Sequence, residues 1–187
     1  MGMPAQETVW TAEMVRALPD DGKRYEVLDG ALYVSPAPSA LHQRAVAHLW
    51  EILNRYCRTH GIGEAMISPA DIEFSPHRVL QPDVFVVPLK DGRRIRSWKE
   101  VTTLLLSAEV ISQSTARADR GEKRRIVQDE DVPEYWIVDL DARIFERWRP
   151  GDERPEILID RFQWQPEPTV VPLVIDLHEY FAYVLGD

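Results

Sequence analysis

The sequence predicts a mixed α/β fold with an N-terminal β-hairpin, and three stretches carry that prediction. Residues 104–111 are apolar at nearly every position, as in a central strand covered on both faces. Residues 24–28 and 31–34 flank Asp29-Gly30, a dipeptide that suits a type I′ turn because that turn needs positive φ twice. Leu41, Ala45, Leu49, Ile52, Leu53 and Tyr56 recur at helical spacing and form one apolar face.

The other elements follow in order. Thr11 can cap a short helix over 12–18, ended by Pro19-Asp20-Asp21-Gly22. The two-residue hairpin loop pairs Leu28 with Ala31 and therefore Glu26 with Tyr33. Ser39 can cap the long helix, and Gly61 and Gly63 stop it. Residues 64–68 and 71–74 read as short strands, and 81–87 as a buried strand with Asp83 at its entrance. Residues 88–103 are charged, lack a clean period and read as a loop. Past the central strand, Ser112-Gln113-Ser114-Thr115 is a turn with capping chemistry, leading to a helix over 116–130 that contains Gly121. Residues 134–139 and 143–149 form an antiparallel pair, and 156–160 the next strand. Proline-punctuated extended pieces over 163–174 precede an amphipathic helix over 176–185. No repeat or linker divides the chain, so 1–187 reads as one domain.

Composition narrows the function classes. The one cysteine, Cys57, excludes an internal disulfide framework and a multi-cysteine zinc site. It reads as filler in the long helix. No apolar stretch approaches the ~18 residues of a membrane span. Residues 1–10 lack a signal-peptide pattern, so a cytoplasmic location is expected. The net charge of −9 argues against non-specific nucleic-acid binding over the whole surface. It leaves room for a local patch, and residues 90–96 and 117–125 each carry a net charge of +3.

Four polar positions stand out. Glu109 interrupts the most apolar strand, and a buried carboxylate needs a base, a hydrogen-bond network or a metal. Lys123 shares a helix stripe with Ala116, Asp119, Ile126 and Val127, so it faces the sheet and needs an anion. A plain Lys–Glu pair supporting the fold would satisfy both. Glu26 is the one acid in the hairpin's body, where a solvent-facing position is the plainer reading. His42, in the first turn of the long helix, reads first as a surface or capping residue and second as a catalyst. Phosphodiester cleavage needs negative ligands that place a divalent cation against a phosphate oxygen and a water. Asp83 and Glu109, on neighbouring strands, would supply them.

The motifs also carry a resemblance. Pro82-Asp83, EVISQST at 109–115, DRGEK at 119–123 and VPEYWIVD at 132–139 resemble the Uma-two family of bacterial proteins, within the PD-(D/E)xK restriction-endonuclease-like superfamily. RYEVLDGALYVSP at 24–36, followed by His42-Gln43-Arg44, resembles the same family's N-terminal pattern. The resemblance implies a restriction-endonuclease-like mixed β-sheet flanked by helices, with a divalent-metal site at one end. Asp83 and Glu109 match the superfamily's acidic ligands, with the carbonyl of Val110 as third ligand. Ile111 stands where the superfamily has its lysine, and Lys123 resembles a replacement supplied by the following helix, expected to position the water or stabilise the transition state. Glu26 and His42 match further polar positions of the family and are expected at the same pocket. Gln113 and Val127 depart from the pattern, where proline and tyrosine are common, without removing a ligand.

The leading expectation is therefore a Mg²⁺- or Mn²⁺-dependent endonuclease acting on DNA. Arg93, Arg94, Arg117 and Arg120 are candidates for phosphate contacts. The alternatives are an inactive module that keeps the fold for binding or assembly and a nuclease acting on RNA or a nucleotide, which the sequence does not separate from the leading expectation. A homodimer is expected, because two-fold symmetry supplies two active sites to a duplex. Phe145 to Trp148 could form its surface or belong to the core.

Overall fold

The computed structural model describes residues 8–186. The reading of residues 1–10 as free of a signal peptide therefore falls mostly outside them. Thr11 caps α1 (Ala12–Arg16), its side-chain oxygen accepting from the Met14 N–H. The hairpin of β1 (Arg24–Leu28) and β2 (Ala31–Ser35) has the expected register, with Glu26 opposite Tyr33 and Leu28 opposite Ala31. Asp29 and Gly30 both have positive φ, 50° and 85°, as its turn requires. The long helix is α2 (Ala40–His60), capped by Ser39 and closed by Gly61 in the left-handed conformation.

A short strand that the sequence did not announce, β5 (Arg78–Leu80), joins β4 (Ile72–Ser75) to the hairpin, giving a four-stranded sheet in the order β2-β1-β5-β4. Three residues are too few to show a period. The main sheet has six strands, ordered β10-β9-β8-β7-β6-β3. They are β3 (Gly63–Ile67), β6 (Val84–Pro88), β7 (Leu106–Val110), β8 (Tyr135–Asp139), β9 (Ile144–Trp148) and β10 (Glu156–Leu158). Only β7 and β8 run parallel; the other neighbours are antiparallel. The β7–β8 connection carries α3 (Ala116–Ala118), a π-helical turn (Asp119–Lys123) and α4 (Arg124–Asp129). A two-stranded sheet of β11 (Arg161–Trp164) and β12 (Leu173–Asp176), then α5 (Leu177–Leu185), complete the chain.

Both faces of the main sheet are covered, which is why its middle strands are apolar at successive positions. Leu106, Ala108 and Val110 pack with α2 and α5, alongside Trp136 and Trp164. Strand alternation turns Ser107 and Glu109 to the other face. There Phe85, Tyr135 and Ile137 meet Ile126 and Val127 of α4 and Leu28, Ile72 and Leu80 of the smaller sheet. Phe145 and Trp148 are core residues, 0% and 7% exposed, which overturns their reading as a dimer surface: the sheet's covering layers bury them. Leu41 is exposed, one turn ahead of Ala45, where the buried face of α2 begins. No helix among the described residues is long and apolar enough to cross a membrane.

Candidate active site

Period two along β1 places Arg24, Glu26 and Leu28 on one face, and the packing of the smaller sheet on the larger one buries that face. Glu26 is consequently 1% exposed, against the solvent-facing position that a lone hairpin would give it. Its Oε1 accepts from the Gln81 N–H at 2.8 Å, and its Oε2 lies 2.9 Å from Lys123 Nζ.

Asp83 stands just before β6, where Pro82 interrupts the ladder. Its Oδ1 accepts from Arg24 Nη1 at 2.6 Å. Its Oδ2 accepts from His42 Nε2 at 2.9 Å and from the Val110 N–H at 2.9 Å. The Asp83 N–H points to Glu109 Oε2 at 3.4 Å, so the two acids meet across the β6–β7 pair. The β6–β7 ladder ends with Val84 opposite Ala108, so Val110 lies beyond its last pair, on the side of Pro82 and Asp83. Proline has no amide hydrogen to offer the Val110 carbonyl.

The π turn brings two more charges to the same point. Asp119 and Lys123, its first and last residues, are both buried and 3.1 Å apart from Oδ1 to Nζ. Lys123 Nζ also donates to Glu109 Oε1 at 3.2 Å. Three carboxylates from β1, β7 and the helical segment thus surround one ammonium group. Tyr135 OH donates to the Asp119 carbonyl at 3.0 Å, tying the turn to β8. π-helical turns recur at functional sites.

Four buried carboxyl groups (Glu26, Asp83, Glu109 and Asp119) crowd around Lys123 and Arg24, with the His42 ring as a further partner of Asp83. Burial works against the Asp83 anion, yet His42, the Arg24 guanidinium and the Val110 N–H hold its carboxyl well below the usual range. Glu109 goes the other way. Burial pushes it up, Lys123 counteracts, and the charges of Asp83, Asp119 and Glu26 push it further. Burial also opposes the Lys123 charge, but its three carboxylates raise it well above an ordinary lysine. The upward shift of Glu109 reflects negative charge crowded around it, which a cation at that point would relieve.

These residues fit a divalent cation on three counts: the crowding of buried carboxyl groups that raises Glu109, the Val110 carbonyl beyond the end of the β6–β7 ladder, and carboxylate oxygens as hard donors. Glu26 Oε2 and Asp119 Oδ1 are also buried beside the ammonium without a well-aligned hydrogen bond. Among the described residues, no three of His, Cys, Asp and Glu are grouped to hold a metal by side chains alone. Two carboxylates, a carbonyl and waters match the habit of Mg²⁺, which keeps much of its hydration.

Access is on the Asp83 side. A cavity of about 280 Å³ is lined by Lys23, Arg24, His42, Gln43, Gln81 and Asp83, among others, beside the start of α2. A larger cavity of about 680 Å³, in the loop around Arg93, contains none of the clustered acids. Glu26, His42, Asp83, Glu109 and Lys123, all singled out in the sequence, therefore come together. The arginines do not gather there. Arg93, Arg94 and Arg117 are exposed elsewhere, and Arg120 is paired with Glu146 at 2.7 Å and Asp139 at 2.9 Å. Sequence reasoning missed Arg24, Gln81 and Asp119 as members of the cluster. Two signals were available: Arg24 lies two residues from Glu26 in a strand, and Asp119 one helical turn from Lys123.

Comparison with known proteins agrees with this fold. A family model, Uma2, described as "Putative restriction endonuclease", matches residues 12–178. A crystal structure described as a putative nuclease belonging to DUF820, from Anabaena variabilis, superposes with a TM-score of 0.71. The two chains share 17% sequence identity over 93% of this chain and 98% of that one, a likeness of fold. No curated protein matches the sequence. With its model covering most of the length from α1 to the start of α5, the chain belongs to the Uma2 family, described as putative restriction endonucleases.

Proposed function

We propose that this protein is a divalent-cation-dependent endonuclease of the PD-(D/E)xK type, acting on DNA as a single domain over residues 1–187. One observation supports this most: the Glu109 carboxylate, held by Lys123, lies against the Asp83 backbone at a buried point, while the Asp83 carboxylate accepts from the N–H of Val110, the residue after Glu109. Asp83, Glu109 and the Val110 carbonyl would hold Mg²⁺ or Mn²⁺. Such an ion, when bound, polarises a phosphoryl oxygen and lowers the pKa of a water.

The chain's own residues define the rest. Arg24 and His42 keep Asp83 ionised and fixed in orientation, through contacts of 2.6 and 2.9 Å. They also border the cavity, so an incoming phosphodiester meets the Arg24 guanidinium and the His42 ring first. Glu109 is held by Lys123 and pointed toward Asp83. Lys123 is too enclosed to reach a substrate directly, and its charge acts through Glu109. A homodimer would present two such sites to a duplex.

Cleavage of supercoiled plasmid with Mg²⁺ or Mn²⁺, stopped by EDTA, is the direct test. Asp83→Ala and Glu109→Ala are each expected to abolish it; unchanged cleavage in both variants would sink the assignment. A second reading, an inactive module that binds or assembles, is favoured by the engagement of both Asp83 oxygens with protein partners. Absence of divalent-ion binding at millimolar concentration would select it.

A further inference from the structure

We infer that Asp119 is a positioning residue of this site, holding the Lys123 ammonium so that one of its hydrogens is directed at Glu109. The inference rests on the nuclease reading for its purpose and on geometry for its content. A lysine ammonium has three hydrogens and no acceptor. Here three carboxylate oxygens stand around it, at 2.9 Å from Glu26, 3.1 Å from Asp119 and 3.2 Å from Glu109. The well-aligned hydrogen bond goes to Glu109, and the Glu26 and Asp119 oxygens close off the ammonium's other sides as ion-pair contacts. Enclosed in this way, with the residue 3% exposed, the ammonium fixes the place and charge of Glu109 rather than orienting a water or a phosphate.

Asp119 differs from an ordinary helical ion pair in three respects. It is 2% exposed, where surface pairs at this spacing are solvated. It opens a π turn whose widened coil carries both ends, Asp119 and Lys123, inward, while Glu122 between them is only half-buried. Its own carbonyl accepts from the Tyr135 hydroxyl, which anchors the turn to the strand beside Glu109. A pair serving stability alone would balance its charges, whereas Asp119 adds a third carboxyl group to a lysine already paired twice. That crowding suits a centre built to receive a cation.

The test uses the full chain in three forms: wild type, Asp119→Asn and Asp119→Glu. The first readout is the Lys123 ammonium signal in a ¹H–¹⁵N NMR experiment tuned to slowly exchanging NH₃⁺ groups. Wild type should show it, Asp119→Asn should shift it or lose it to faster exchange, and Asp119→Glu should recover it. The second readout is Mn²⁺ affinity by calorimetry. Removing an outer partner of a metal ligand costs about 10–100-fold in affinity; Asp119 acts one contact further out, through Lys123, so Asp119→Asn should weaken binding by up to about 10-fold and Asp119→Glu should regain most of it. An unchanged ammonium signal in Asp119→Asn overturns the inference, and so does unchanged Mn²⁺ affinity. If wild type binds no Mn²⁺, the metal reading fails on its own, and the ammonium signal alone decides the place of Asp119.

Discussion

Lys123 is the residue on which the buried charges depend. Removing one partner of a buried ion pair costs about 3–5 kcal/mol, because the charge left behind is uncompensated. Lys123→Met strands three carboxylates and is expected to destabilise by at least that range in urea unfolding. Glu26→Gln should cost much less in the same assay. It removes one of the crowded carboxyl groups and keeps an oxygen for the Gln81 N–H. Equal losses in the two variants would mean that the crowding is not real. Glu109 was legible because a charge inside an apolar run has few explanations. Glu26 was not, since its burial depends on a second sheet that the hairpin's own sequence does not announce. Asp119 was legible as a neighbour of Lys123 on the sheet-facing stripe, but not as a third carboxylate on its ammonium, because helical spacing alone does not show that Glu26 and Glu109 reach the same point.

At the level of elements, two glycines separate packing from propensity. A Cβ on Gly63 would lie 2.6 Å from the Val87 carbonyl oxygen and 3.1 Å from Val86 Cγ1, where β3 meets β6. Gly63→Ala is therefore expected to destabilise by about 1–3 kcal/mol, the usual cost of overpacking. A Cβ on Gly121 would meet nothing within 4 Å. Gly121→Ala should stabilise by up to about 1 kcal/mol through helix propensity. Opposite shifts in thermal midpoint would confirm both assignments, and a loss at Gly121 would mean that the π turn needs its flexibility. The hairpin register, the long helix and the β7–β8 connection were legible from turn chemistry and period. The π turn was not, because its residues keep the spacing of an α-helix and only the backbone differs. Nor was β5, which exists by pairing with β1 and β4 rather than through any pattern of its own.

Across the whole molecule, Cys57 reports on opening. It is fully buried in the α2 face of the core, and burial pushes its thiol up to about 12. At pH 8 almost none of it is thiolate, so a thiol reagent should react only as fast as the core opens. The labelling rate should rise with urea in step with unfolding; fast labelling in native buffer would contradict the packing of α2. The motifs at 82–83, 109–115, 119–123 and 132–139 sufficed to read the family: the first three hold Asp83, Glu109 and Lys123, and the fourth is the strand beside Glu109. The covering second sheet and the direction of access needed the structure. The central claim is that Asp83 and Glu109 are built to hold a divalent cation. Calorimetric titration of Mn²⁺ into wild type and Glu109→Gln, which removes the charge at nearly constant shape, tests it most directly. Binding in wild type and its loss in the variant is the expected result; equal binding in both, or none in either, would leave Glu109 a structural partner of Lys123 and contradict the claim.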